Sequence, residues 1–346
     1  MTQATKINFA SDNAAPVTPE ILAALGDANM GSALGYGNDP LTGEVEEKLK
    51  SIFECDLMAF PVATGTAANV LGLSIMLPPY GAVYCHQLAH IEQDECGAPE
   101  FYSGGGKLAL LAGDEGKLSA DTLSRALSQA GAGVVHHAQP SAISVTQATE
   151  CGTLYSPGEI GAISEIAKRH GLGLHMDGAR FANAAAALDC TPADMTWRAG
   201  VDVLSFGATK NGAMAAEAVV FFDMEKAREF EFRRKRGGHL FSKMRYLSAQ
   251  LNAYLTNDRW LKTATHANEM ASGLAGEIFN IADAELVYPV EANIVFARLP
   301  AHVLVRLAAS DVLYYPSGPA ENREIRLVAS WNTTADDIEK LMAVLR

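Results

Sequence analysis

The stretch GLGLHMDGARFANAAAALDCTPADMTWRAGVDVLSFGATKNG, Gly171 to Gly212, decides the fold. It contains two short apolar runs, GLGLHMD and VDVLSF. Each is bounded by small or turn-forming residues, the pattern of a buried strand. Outward from it the same kind of run recurs as MAFPVA, AVYCH, KLALLA, AISVTQ and EAVVFF. Helical patterns fall between them. VTPEILAALGDA carries Pro19 in its first turn. EVEEKLKSIF places Val45, Leu49, Ile52 and Phe53 on one face. TAANVLGLSIML reads as a buried helix, and SADTLSRALSQA and SPGEIGAISEIAKRHG as further helices. This alternation predicts an α/β fold, with an open, largely parallel sheet and helices on both faces.

The character changes after Asp223. EKAREFEFRRKRGG and FSKMRYLSAQLNAYLTND read as long charged helices, a spine between domains. From about Ala264 a helix, NIVFARL, AHVLVRLAAS, a turn-rich YYPSGPAENRE, IRLVASW and a final helix suggest a smaller α+β unit. With roughly 100–200 residues per domain, the expected division is an N-terminal segment 1–14, a large domain 15–255 and a small domain 256–346.

Apolar residues make up 49% and charged residues 19% of the 346, enough for a large core and against disorder. The net charge of −13 repels polyanions, so nucleic acid and anionic membrane are poor partners. FRRKRGG is a local basic exception. Five scattered cysteines without C-x-x-C spacing read as reduced thiols. No secretory pattern and no membrane-length apolar run is visible, so a cytoplasmic protein is expected.

Ligands of open parallel sheets bind beyond the carboxyl ends of the strands. Four such places carry chemistry. ATGTAAN follows MAFPVA and opens a helix, where Gly65, Thr66 and unpaired N–H groups suit a phosphate. Asp177 stands at the end of GLGLHMD, with Arg180 three residues on. Lys210 follows VDVLSF among small neighbours that leave room for a flat ligand. His86 and His90 are four apart, with Glu92, Asp94 and Glu95 close by, which raises a metal site and a metallohydrolase as a rival reading. Gln87 stands where the zinc-protease pattern needs glutamate. Separately, each place has a bland reading: a capped helix, a turn aspartate, a loop lysine, a loop histidine. Together, a phosphate-suited helix start, a strand-end aspartate and a strand-end lysine 33 residues on are the parts that hold pyridoxal phosphate.

The ordered set SDNAAPVTPEIL, GYGNDPLTGEVE, PVATGTAAN, Ala89-His90, LHMDGARFANA, ATKNG, RRKRGG and IRLVASW resembles the low-specificity L-threonine aldolases over nearly the whole chain. These are fold-type-I pyridoxal-phosphate enzymes related to the β-eliminating lyases. The resemblance implies retro-aldol cleavage of L-threonine, L-allo-threonine or phenylserine to glycine and an aldehyde. It implies that Lys210 bonds the cofactor aldehyde, Asp177 partners the pyridine nitrogen and Gly65 and Thr66 hold the phosphate. His90 would stack on the ring and face the substrate. Arg180 would lie near the cofactor and the substrate carboxylate, with Ser11 and Arg326 clamping that carboxylate. Lys235 would reach the phosphate of a neighbouring subunit, and Tyr36 would complete a neighbour's site in a homotetramer built from dimers. Many members carry a histidine where QATECG places Glu150. The base for the β-hydroxyl therefore stays open among His90, Glu150, Asp94 and water. β-Elimination or transamination on the same frame is the nearest alternative reaction.

Overall fold

The computed structural model describes residues 6–346. A seven-stranded sheet forms its centre. The strands are β1 (Met58–Val62), β2 (Gly81–His86), β3 (Lys107–Leu111), β4 (Gln139–Thr146), β5 (Gly173–Gly178), β6 (Val203–Gly207) and β7 (Glu217–Phe221). Their order across the sheet is β1-β7-β6-β5-β4-β2-β3. From β6 to β3 all neighbours are parallel, while β7 is antiparallel to both β6 and β1. The parallel majority is the arrangement expected from the sequence. The reversed strand is not, and its cause is local. Only the short segment from Ala208 to Ala216 joins β6 to β7, with no room for the crossover of about a dozen residues that a parallel partner needs.

The surrounding helices include α1 (Pro19–Ala28), α2 (Pro40–Phe53), α3 (Gly65–Met76), α4 (Ala120–Gln129) and α5 (Pro157–His170). Asp39 caps α2 through Thr42 N, and a Ser156–Glu159 capping box starts α5. One face of the sheet packs Leu49, Phe53, Phe181, Phe206 and Trp260 into a common core. The other face packs Leu71, Val83, Val203, Val219 and Phe230.

The expected inter-domain spine lies elsewhere. Helix α6 (Met224–Arg236) buries Ala227 and Phe230 against the large sheet, and α7 (Arg245–Leu255) packs on α1 and α2. The element that links the cores is α8 (Arg259–Phe279). Its first half puts Trp260 and Ala264 into the large-sheet core. Its second half puts Ala271, Leu274 and Ile278 into a separate core with Phe9, Val295, Leu327 and Leu341. There an antiparallel sheet of β8 (Glu285–Leu286), β9 (Ile294–Arg298), β10 (Tyr315–Ser317) and β11 (Glu324–Val328) runs in the order β10-β11-β9-β8. The short strand Ile7–Asn8 joins this part of the molecule by pairing with Val312–Leu313.

Candidate active site

Strand β5 delivers Asp177 to the carboxyl edge of the sheet, in register with Ser205 of β6. Asp177 is buried. Its Oδ2 accepts from Asn69 Nδ2 at 2.8 Å and its Oδ1 from Ala179 N at 2.9 Å. The next strand, β6, ends at Gly207 and passes into a single turn, Thr209–Asn211, that carries Lys210. Gly207 permits this geometry. A Cβ there would lie 2.5 Å from the carbonyl oxygen of Ala179, in the loop that leaves Asp177. The two strand ends are therefore as close as backbone allows. Asn211 fixes the turn from below by donating to Tyr254 Oη and Trp260 O, each at 2.8 Å.

Lys210 has no hydrogen-bond or ion-pair partner among the described residues. Buried Glu217 lies near it, its carboxylate accepting from Ala208 N at 2.8 Å. Burial raises the Glu217 carboxyl to about 7, against the opposing pull of its hydrogen bonds and of the Lys210 charge. Helix α3 starts beside β1 at Gly65. Thr64 caps it by accepting from Ala67 N at 3.1 Å, which leaves the N–H groups of Gly65 and Thr66 facing outward. A Cβ on Gly65 would meet nothing within 4 Å, so there is space at this helix start. An unpaired amine, a buried carboxylate with a lone pair to spare and a helix start with open space form a donor set that fits pyridoxal phosphate.

His90 begins a short helix, His90–Gln93, after β2. Its Nδ1 bonds Glu95 Oε1 at 2.8 Å. That bond raises the imidazole above its ordinary value, aided by Asp177 and Glu150 and opposed by burial. His86 does not join it. Its Nδ1 accepts from Leu88 N and its Nε2 bonds Gly113 O, each at 3.1 Å, so both ring nitrogens are committed to backbone. The His86–His90 metal reading fails for that reason. Asp94 is exposed at the end of the short helix, where its own N–H caps His90 O.

Arg180 is buried and donates twice to Asp12, from Nε at 2.7 Å and Nη2 at 2.8 Å. Burial alone would raise the Asp12 carboxyl, but the Arg180 guanidinium outweighs it and holds the group at about 2. Asn293 Nδ2 also donates to Asp12, at 3.1 Å. Ser11 precedes Asp12, and its hydroxyl accepts from Asn13 N at 3.1 Å. Arg326, on β11, makes one long bond to Ala10 O at 3.4 Å. Burial lowers it, and the nearby Arg180 charge lowers it further. Glu150 follows β4 on a loop tied down by Thr149 and Thr153: the Thr153 hydroxyl donates to Glu115 O at 2.6 Å and lies 2.7 Å from the Thr149 hydroxyl, which donates to it. Its charge acts on His90, Arg180 and Arg326 alike, and it has no hydrogen-bond or ion-pair partner of its own among the described residues.

Tyr36 and Lys235 meet each other instead. The Lys235 ammonium lies 4.9 Å from the Tyr36 ring centroid, and Tyr36 is 49% exposed. Neither makes a hydrogen bond or ion pair with Lys210, Asp177 or Arg180 among the described residues. Sequence reasoning missed Asp12, Asn69, His175 and Glu217. Asp12 was legible beside Ser11, and Asn69 lies one turn beyond Gly65 on the same helix. His175 and Glu217 lie in runs read as buried strands, GLGLHMD and EAVVFF, but nothing in the sequence marks their partners.

The family of β-eliminating lyases matches residues 8–301. The low-specificity L-threonine aldolase of a Pseudomonas species is 43% identical over 98% of this chain and 96% of its own. The chain belongs to this family of aldolases and β-eliminating lyases. The Pseudomonas aeruginosa low-specificity L-threonine aldolase is 42% identical over the same shares of both chains. Among solved structures, the threonine aldolase of Leishmania major superposes with a TM-score of 0.92 at 28% identity, covering 98% of each chain. N-Succinyldiaminopimelate aminotransferase of Mycobacterium tuberculosis, at 16% identity and a TM-score of 0.72, shares the fold over 98% of this chain and 92% of its own. The aldolases thus carry the fold-type-I architecture seen here.

Proposed function

We propose that this chain is a pyridoxal-phosphate-dependent aldolase that cleaves L-threonine and related L-β-hydroxy-α-amino acids to glycine and an aldehyde. One observation carries the site assignment. An unpaired amine, Lys210, stands beside a buried carboxylate, Asp177, at adjacent strand ends, across from the open start of α3. When bound, pyridoxal phosphate supplies an electron sink for the charge left on Cα.

The protein's own groups do the rest. Lys210 Nζ is the group that would hold the cofactor covalently. Asp177, buried and oriented by two donors, would face the cofactor's ring nitrogen and favour its protonated form. The N–H groups of Gly65 and Thr66 hold the phosphate. Arg326 has a guanidinium largely free for the substrate carboxylate, since its single protein bond is long. Ser11 sits at the same place through the N-terminal segment. Arg180 spends Nε–H and one Nη2–H on Asp12, so Nη1 and the second Nη2–H remain for cofactor or substrate. Fixing the amino and carboxyl groups selects which Cα bond lies in line for cleavage. Our two candidates for taking the β-hydroxyl proton are His90, in its neutral form through Nε2 because Nδ1 is held by Glu95, and Glu150, which is unpaired among the described residues. A site that fixes the amino and carboxyl groups and leaves the β-substituent ungripped would accept allo-threonine and phenylserine as well. The Tyr36–Lys235 pair bonds none of Lys210, Asp177 or Arg180 among the described residues, and we assign it to the site of a second copy in a homo-oligomer.

The test is a spectrum and a product assay. The purified protein loaded with pyridoxal phosphate should show the covalent lysine band and form glycine and acetaldehyde from threonine. Lys210→Ala should lose the band. A band that survives in Lys210→Ala removes Lys210 from the role, and 2-oxobutanoate with ammonia in place of glycine replaces the aldol reading by β-elimination.

A further inference from the structure

Asp177 lies on β5 and His90 opens the short helix that follows β2, and β4 separates those two strands in the sheet. A chain of hydrogen bonds joins them. His90 Nδ1 meets Glu95 Oε1 at 2.8 Å, Asn69 Nδ2 donates to the same oxygen at 2.9 Å, and its second N–H goes to Asp177 Oδ2 at 2.8 Å. Asn69 comes from α3 and is 2% exposed, and the Glu95 side chain is fully buried. Both amide contacts are to carboxylate oxygens, so the amide must present its NH2 there, because its oxygen would be repelled. Ligand atoms of His90, Glu95 and Asp177 lie within 4.8 Å of one another, a cluster that on composition alone reads as a cation site. The amide protons of Asn69 fill the space between the two carboxylates and close it. The remaining atoms, Glu95 Oε2 and Asn69 Oδ1, are buried and unpartnered among the described residues, so no other described group competes to reorient the two side chains.

We propose that Asn69 and Glu95 are positioning residues whose bridge, His90–Glu95–Asn69–Asp177, fixes the imidazole and the Asp177 carboxylate relative to each other before the cofactor binds. The proposal deepens the aldolase reading and rests on it for the identity of the cofactor. Glu95 serves as the anionic partner that keeps a proton on His90. Asn69 serves as the neutral spacer that lets two buried carboxylates stand close without a shared cation. The charges facing His90 are Glu95 from its own loop, Asp177 from β5 and Glu150 from the loop after β4. Losing Glu95 removes the first of these and the only one in direct contact.

Two variants separate the halves of the bridge. Glu95→Gln keeps the volume and removes the charge. In the cofactor-free protein, the His90 ring followed by NMR should titrate about one pH unit lower than in the parent. Asn69→Leu keeps the direct His90–Glu95 contact but takes one donor from Glu95 and one of two donors from Asp177. Its affinity for pyridoxal phosphate, read by absorbance titration, should fall roughly tenfold or more. An unchanged His90 midpoint in folded Glu95→Gln, or unchanged cofactor affinity in folded Asn69→Leu, overturns the proposal. Should either variant fail to fold by circular dichroism, the parent decides. A His90 midpoint at or below the ordinary 6.5 overturns the bridge, and one above it supports it. Failure of the aldolase reading is distinct. A parent that binds the cofactor yet releases no glycine from threonine would refute that reading and leave the His90 titration standing.

Discussion

Replacing Asp12 by alanine tests whether the N-terminal segment is locked to the site by charge. Asp12 is 1% exposed and Arg180 5%, and the pair is bidentate at 2.7 and 2.8 Å. Asp12→Ala strands a buried guanidinium, a loss of about 3–5 kcal/mol. Asn293 keeps its bond to Ala329 O at 2.8 Å, so its share of the loss is small. Arg180→Met alone strands the Asp12 carboxylate and should cost a similar amount. The double replacement, Asp12→Leu with Arg180→Met, removes both charges and should cost far less than the two single losses combined. The pH dependence gives a second reading of the same pair. The folded Asp12 carboxyl lies below its ordinary 3.8, at about 2, so its stabilisation is fully present above 3.8 and is lost as pH falls through 2. At 1.36 kcal/mol per pH unit the contribution is about 2 kcal/mol. Urea unfolding of the cofactor-free protein at pH 7 and at pH 2–4, on parent, singles and double, measures both. Singles that lose under ~1 kcal/mol against the unfolding baseline, or a double as costly as the two singles added, would refute the lock.

Three further outcomes follow from the same geometry. Gly207→Ala would push a methyl group to 2.5 Å from Ala179 O; it should cost about 1–3 kcal/mol and weaken cofactor attachment at Lys210, read by unfolding and by absorbance. Asp177→Asn should keep the parent circular-dichroism spectrum but lose most of the rate of glycine formation, and full activity would remove Asp177 from its assigned role. Burial lowers the His175 imidazole to about 4, with both nitrogens engaged by Ser144 at 2.9 Å and Ser205 at 3.1 Å. The ring folds neutral, so stability present above 6.5 should fall away between 6.5 and 4 by about 3 kcal/mol, and His175→Gln should flatten that slope in urea titrations.

The sequence by itself determined the layering. Short apolar runs spaced by amphipathic helices leave few arrangements but a parallel sheet covered on both sides, and each of the runs quoted from MAFPVA to EAVVFF became a strand. It also placed Asp177 and Lys210 at strand ends, because a ligand site in such a sheet must lie there. What it left undetermined depends on distance in the chain. Asp12 meets Arg180 across 168 positions, and Asn69 meets Asp177 across 108. Neither pairing leaves a periodic or local mark. The reversal of β7 and the commitment of His86 to backbone were likewise decided by tertiary structure, the first by too short a connection for a crossover, the second by carbonyl and amide groups from the neighbouring loops. The residue types that can carry the chemistry were legible in the chain. Which of them remain free to carry it was decided by what packs against them, since a buried polar group must find a partner and is then no longer available.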